Sequence, residues 1–207
     1  MEKRDNSTLR SKISLRNKLL KEIPSPVIME THGGIGVLFK QCYKNIERGV
    51  VFEKNADKVV KLAEQRPTWS VYETDCIRAI TGGVGSHLPV NFLDVDPHGT
   101  PLDTIAAIFE HWVYLPQKLA LVVTDGQRVK AQFRGAWTVE RIQPLVAKYG
   151  NDEIYSNYVE LCEELIETWA ATRGYKIAKW TGYYCGYGQD ITHYAAILER
   201  ETNFKNL

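Results

Sequence analysis

The chain has 207 residues, of which 44% are hydrophobic and 25% charged, a size and composition that suit one globular domain with a sizeable core and exclude a disordered or fibrous chain. Lysine and arginine number 26 against 25 aspartates and glutamates, so a net charge of +1 gives no whole-molecule attraction to a polyanion. Cys42, Cys76, Cys162 and Cys185 form no C-x-x-C pair, no run approaches the ~18 apolar residues of a membrane span, and the polar N-terminus is unlike a signal peptide; the expectation is a soluble, cytoplasmic protein without a metal centre or a membrane partner.

Residues 1–23 read as a basic arm, with Lys3, Arg4, Arg10, Lys12, Arg16, Lys18 and Lys21 against Glu2 and Asp5. Ile13, Leu15, Leu19 and Leu20 let it lay one face on the rest of the chain; contact with nucleic acid or a membrane surface is the other reading. Residues 24–207 form the expected domain. Short apolar runs alternate there with helical periodicity, the pattern of βα units around a mainly parallel sheet. A strand over Pro26–Met29 ends at Glu30, and the turn Thr31-His32-Gly33-Gly34-Ile35-Gly36 leads into a helix over Val37–Glu47. A strand at Gly49–Phe52 ends at Glu53, a helix covers Ala56–Gln65, and a strand at Trp69–Tyr72 ends near Asp75.

Cys76–Ile80 reads as a short helix and Thr81–Pro89 as a loop. The fourth strand, Val90–Leu93, runs into Asp94-Val95-Asp96-Pro97; Leu102–His111 is helical and Leu119–Val123 is a fifth strand. After Asn151 an amphipathic helix places Tyr158, Leu161, Cys162, Leu165, Ile166 and Trp169 on one face. Tyr175–Tyr184 and Ile191–Leu198, joined by Gly186-Tyr187-Gly188-Gln189-Asp190, close the chain as a hairpin.

A glycine-rich turn after a buried strand lets backbone amides approach a ligand at a helix N-terminus. A dinucleotide fingerprint would need glycine where Phe39 stands, and no G-x-x-x-x-G-K-[ST] phosphate loop occurs. Ligands of open α/β sheets sit beyond the carboxyl ends of the strands, so Glu30, Glu53, Asp75 and Asp96 are expected to converge on one crevice. Singly, each reads equally well as a helix cap or a solvated turn residue. His87, His111 and His193 lack ligand spacing and read as ordinary histidines. Trp180, Tyr183, Tyr184, Tyr187 and Tyr194 suit cross-strand packing or a base-stacking wall. Arg128, Lys130 and Arg134 suit a solvated loop or phosphate contact.

The Glu30–Gly36 segment resembles the [DE]-x-F-x-G-x-G turn of class I S-adenosylmethionine-dependent methyltransferases, and the likeness extends over Pro26–Leu198. It implies a Rossmann-like α/β fold with a seven-stranded, mainly parallel sheet in the order 3-2-1-4-5-7-6 and an antiparallel C-terminal hairpin. The implied cofactor is S-adenosylmethionine. Gly33, Gly34 and Gly36 would cradle its methionine part, Glu53 its ribose and Asp75 its adenine, with Glu30, Thr31, His32, Cys76 and Asp94 completing the set.

Asp94-Val95-Asp96-Pro97-His98-Gly99-Thr100-Pro101 is similar to the D-x-D-P-F-G-[ST]-P segment of tRNA guanine-N2 dimethyltransferases, and Val123-Thr124-Asp125 to their V-T-x-T-D stretch. This implies methyl transfer to an exocyclic amine of a nucleic-acid base, RNA ahead of DNA, with Asp96, Pro97 and His98 as the catalytic set. The warrant is positional: a carboxylate and a carbonyl accept the amine N–H groups and aim its lone pair, while the next side chain stacks on the base. His98 and His32 depart from the family's aromatics, and no room is expected for the C-terminal domain of the tRNA enzymes. Two alternatives therefore stand beside this reading. One is methylation of a small-molecule or protein amine; the other is a non-catalytic cofactor-binding module that needs a partner, which His98 keeps open.

Overall fold

Val50, Val51 and Phe52 are wholly buried at successive positions, so both faces of their strand are covered, as a central parallel strand requires. The computed structural model describes residues 8–114, 116–134 and 137–201, with the backbone alone at 132–134. Glu2, Lys3, Arg4, Asp5 and the side chain of Arg134 lie outside the described part.

The elements are α1 (Leu9–Leu20), β1 (Ile28–Glu30), a π-helical turn (Phe39–Tyr43), β2 (Gly49–Glu53), α2 (Ala56–Gln65), β3 (Ser70–Glu73), α3 (Cys76–Thr81) and β4 (Phe92–Val95). They continue with α4 (Leu102–His111), β5 (Lys118–Asp125), α5 (Gln127–Arg134), a 3₁₀ turn (Glu140–Ile142), α6 (Gln143–Tyr149), α7 (Asn151–Ser156), α8 (Tyr158–Ala171), β6 (Tyr175–Cys185) and β7 (Ile191–Arg200). The sheet order is β3-β2-β1-β4-β5-β7-β6. β1 to β5 pair in parallel, whereas β7 runs antiparallel to both β5 and β6.

Caps explain the well-placed helices. Asn55 accepts from the Lys58 amide at 3.1 Å to start α2, and Asp75 accepts from the Arg78 amide at 3.1 Å to start α3. The helix expected at Val37–Glu47 is shorter, its π-helical part ending at Tyr43. Phe39 packs edge-on against Trp69 at 5.3 Å between ring centroids, and Tyr43 packs on Phe92 at 5.9 Å; the widened turn faces both rings inward.

β4 also lies two residues later than its expected Val90–Leu93, because Phe92–Val95 pair with Ala120–Val123 of β5. That register puts Asp94 inside the strand rather than after it.

Two apolar layers flank the sheet. One, under α3, α4 and α8, includes Phe52, Leu93, Ile105, Val123, Tyr158 and Ile166. The other includes Ile28, Phe39, Tyr43, Phe92, Val122 and Ala195, and α1 joins it through Leu15 and Leu19. Residues 9–20 are thus a helix docked on β5, β7 and the π turn, with Arg16 completely buried. Among the described residues no helix is long and apolar enough to cross a membrane.

Candidate active site

The turn after β1 sits against β2. The Gly33 amide donates to the Phe52 carbonyl at 3.0 Å, and a Cβ on Gly33 would meet Leu62 and Val51 side chains at 2.6 Å, so only glycine permits this approach. Gly34, at φ +54°, has open space where its Cβ would be, and its amide donates to Glu53 Oε2 at 2.8 Å. The other Glu53 oxygen accepts from the Asn55 amide at 3.0 Å. A carboxylate has about four lone-pair sites, so this fixed, half-buried group retains capacity for hydroxyl donors.

His32 links the glycine turn to the start of α3. Its Nδ1 is 2.8 Å from Thr31 Oγ1 and its Nε2 is 3.6 Å from Cys76 Sγ. Burial pulls its pKa below the ordinary value, against the charges of Asp96, Glu53 and Asp75 and with the help of Lys54. Asp96, Glu53, Lys54 and Asp75 are thus all near enough to this imidazole to act on its charge. Asp75 is paired with Lys54. Cys76 is buried, also 3.6 Å from Thr104 Oγ1, and burial raises its pKa.

Glu30 and Asp94, both expected at the cofactor, have carboxylates turned elsewhere. Glu30 is an ion-pair partner of the buried Arg66 at 2.6 Å, on the far side of the strand end. Burial drives its pKa up to about 8 despite Arg66. Arg66 itself lies over Phe39 and Trp69, at 4.4 and 5.2 Å from their ring centroids. Asp94 accepts from Arg16 Nε at 2.8 Å, from a terminal Arg16 nitrogen at 2.5 Å and from the Tyr43 hydroxyl at 2.6 Å. Its backbone contribution is separate: the Asp94 carbonyl accepts from the Thr31 amide at 3.0 Å and from Thr31 Oγ1 at 3.2 Å, which ties β4 to the glycine turn.

Asp96 follows β4 and has a partly exposed carboxylate. Lys12 Nζ from α1 bonds both of its oxygens, at 2.7 and 3.0 Å. Burial would raise its pKa, but Arg16, Lys12 and the Thr124 hydroxyl outweigh burial and lower it. The Pro97 carbonyl accepts from the Gly99 amide at 3.1 Å, and the Gly99 carbonyl from the Gly126 amide at 2.8 Å, so the loop is tethered to the end of β5. His98 is exposed on it. Across the sheet Thr124 is the register partner of His193, and His193 of Tyr183. Burial, then Arg16 and Lys12, push the fully buried His193 down to about 4, a neutral ring.

Lys12, Arg16 and the Thr124–His193 pair are absent from the sequence-derived site. The signal for the first two was their i, i+4 spacing, which puts both on one helix face; their acidic partners, in β4 and after it, were not visible. Arg128, read from the sequence as part of a solvated loop or a phosphate contact, is neither solvated nor free. Arg128 is buried between Tyr155 and Tyr184, 4.1 Å from each ring centroid, and donates to the carbonyls of Tyr155 and Gln189 at 3.0 and 2.6 Å. The hairpin aromatics divide: Trp180 stacks on the buried Tyr194 at 5.4 Å, whereas Tyr187 is fully exposed.

No family model and no curated protein matches the sequence. Solved structures match the fold. N-methyltransferase NodS from Bradyrhizobium japonicum WM9, in complex with S-adenosyl-L-homocysteine, superposes with a TM-score of 0.61 at 11% identity, over 95% of this chain and 90% of its own. The chain has the class I methyltransferase fold. M. jannaschii TYW2 in complex with AdoMet gives 0.54 at 14% identity over 93% of this chain and 77% of its own. The plantazolicin methyltransferase BpumL, in complex with a pentazolic desmethylPZN analog and SAH, gives 0.57 at 13% identity over 97% of this chain and 87% of its own. His32, Glu53 and Asp96 stand at or just after the carboxyl ends of β1, β2 and β4, the edge at which ligands of open α/β sheets sit.

Proposed function

We propose that the protein is an S-adenosylmethionine-dependent N-methyltransferase acting on an exocyclic amine of a nucleic-acid base, RNA ahead of DNA. The observation that carries this reading is the Asp96 carboxylate, kept ionised and partly exposed after β4, in the same crevice as the glycine turn and Glu53. The residues present fit the cofactor. The space beside Gly34 is open to a ligand, Glu53 has lone pairs left for ribose hydroxyls, and Asp75, paired with Lys54, would stand near the adenine. S-adenosylmethionine supplies an electrophilic methyl group on its sulfonium.

The chain's own residues do the rest by placement. Asp96 accepts an N–H of the amine and orients its lone pair. A base amine is already unprotonated at neutral pH, so alignment and exclusion of water matter more than a strong base. A carboxylate of lowered pKa suits that role, because it holds a hydrogen bond without taking the proton until transfer is complete. The Pro97 carbonyl, already bonded once, has a second lone pair for the same amine. His98, exposed next to it, is free to lie against the base.

The test is transfer of a radiolabelled methyl group to separate pools of RNA, duplex DNA, single-stranded DNA and protein, with Asp96→Ala alongside. Label in one nucleic-acid pool that disappears with Asp96→Ala, while cofactor affinity stays within about tenfold, supports the reading. Label confined to protein, or cofactor binding without any transfer, overturns the acceptor.

A further inference from the structure

Both oxygens of the proposed acceptor-orienting carboxylate are already taken by Lys12, at 2.7 and 3.0 Å. An amine that bonds Asp96 competes with that ammonium, which holds two of the carboxylate's roughly four lone-pair sites. The helix carrying it is not free to lift. Arg16, one turn on, is wholly buried on Asp94 and donates to the Lys12 carbonyl at 3.2 Å; the Tyr183 hydroxyl donates to the Ser11 carbonyl at 3.1 Å; and Leu15 and Leu19 lie in the core. The backbone of Lys12 is therefore pinned on both sides, and only its four-carbon side chain, 15% exposed, can yield.

Charge then restricts what displaces it. In the structure Lys12 cancels Asp96 and Arg16 cancels Asp94. A neutral base amine that takes Asp96 leaves a largely buried ammonium without a counterion, which is costly. A protonated alkylamine sets a second cation beside it. His193 and Cys185 also lie close enough to feel the Lys12 charge. Both are uncharged: burial and the two cations keep the His193 ring neutral, and burial raises the Cys185 thiol. Neither can take the place of Asp96.

Resting on the function proposed above, we infer that Lys12 exchanges partners when the acceptor binds, leaving Asp96 for an anion carried by the acceptor molecule itself, the phosphate of a nucleotide. The pocket thereby selects a neutral amine on an anionic molecule and disfavours free alkylamines and uncharged nucleosides. Lys12 is a specificity-determining residue in this scheme.

The test needs no turnover. The full-length protein is loaded with S-adenosylhomocysteine and titrated calorimetrically with adenosine, guanosine and cytidine, each against its 3′- and 5′-monophosphates, and with spermidine. The expected result is a monophosphate of one base binding about tenfold or more tighter than its nucleoside. That gain disappears in Lys12→Gln and persists in Lys12→Arg, with thermal unfolding confirming that both variants fold. Equal affinity for nucleoside and monophosphate, a gain that survives Lys12→Gln, preferential binding of spermidine, or no binding of any probe by protein that holds S-adenosylhomocysteine overturns the inference and leaves the cofactor reading in place. Failure to bind S-adenosylhomocysteine removes the reading beneath it.

Discussion

Arg16 and Asp94, 78 residues apart, form a fully buried pair in which the guanidinium grips both carboxylate oxygens, at 2.8 and 2.5 Å. The contact joins α1 to the middle of the sheet and fixes Lys12 one turn earlier. Arg16→Met would leave Asp94 buried with only the Tyr43 hydroxyl, and is expected to destabilise the fold by about 3–5 kcal/mol. Arg16→Lys would recover little of it, because an ammonium cannot reproduce the two-point grip. Denaturant unfolding of the three proteins measures this; equal stability of Arg16→Met and the parent chain would show that α1 is a dispensable attachment.

Glu53 holds the turn amide of Gly34 and the amide of Asn55 and is offered to the ribose. Removing its charge by Glu53→Gln is expected to weaken S-adenosylhomocysteine binding by about ten- to a hundredfold, the worth of charge-assisted hydrogen bonds. Titration calorimetry reads this directly. Unchanged affinity would take Glu53 out of the cofactor site.

Gly33 and Gly34 should respond differently to alanine. At Gly33 the new methyl meets Leu62 and Val51 at 2.6 Å, and overpacking there is expected to cost about 1–3 kcal/mol. At Gly34 the space is open but φ is +54°, so added backbone strain costs the fold only about 1–2 kcal/mol of stability. The Gly34 methyl instead projects into the cradle, and cofactor affinity should fall more than stability. Paired melting and binding measurements separate the two; a Gly34→Ala chain that binds S-adenosylhomocysteine as before would place the cofactor elsewhere.

His193 gives the protein an acid sensitivity. Its ring stays neutral in the folded state until about pH 4, whereas in the unfolded chain it binds a proton near the ordinary value of about 6.5. Between these values the unfolded state holds more protons, so this group's contribution to stability is present above about pH 6.5 and is lost as the pH falls toward 4. His193→Gln lacks that dependence. Its melting temperature should gain on the parent's as the pH is lowered from 7 to 4.5, and parallel pH profiles would show that His193 titrates alike in both states.

Local signals made much of the architecture readable. Asn55 and Asp75, each two residues past a strand, cap the helices that follow, so α2 and the start of α3 follow from a few neighbouring side chains. Runs such as Val50–Phe52 and Leu119–Val123 are apolar at every position, which announces central strands covered on both faces. The strand order came from the glycine-turn resemblance, and the sheet has that order.

What the sequence could not decide was which carboxylates meet the crevice and which meet a cation from a distant element. Glu30, Glu53, Asp94 and Asp96 look alike at the ends of apolar runs. In the fold Glu30 goes to Arg66, Asp94 to Arg16, and Asp96 to Lys12, while Glu53 alone is held by backbone amides of the glycine turn and α2. Those assignments depend on the register of β4 and on the docking of α1 across β5 and β7. Burial of a charge is affordable only where a partner arrives through tertiary contact, and no periodicity in the chain encodes a partner 78 or 84 residues away.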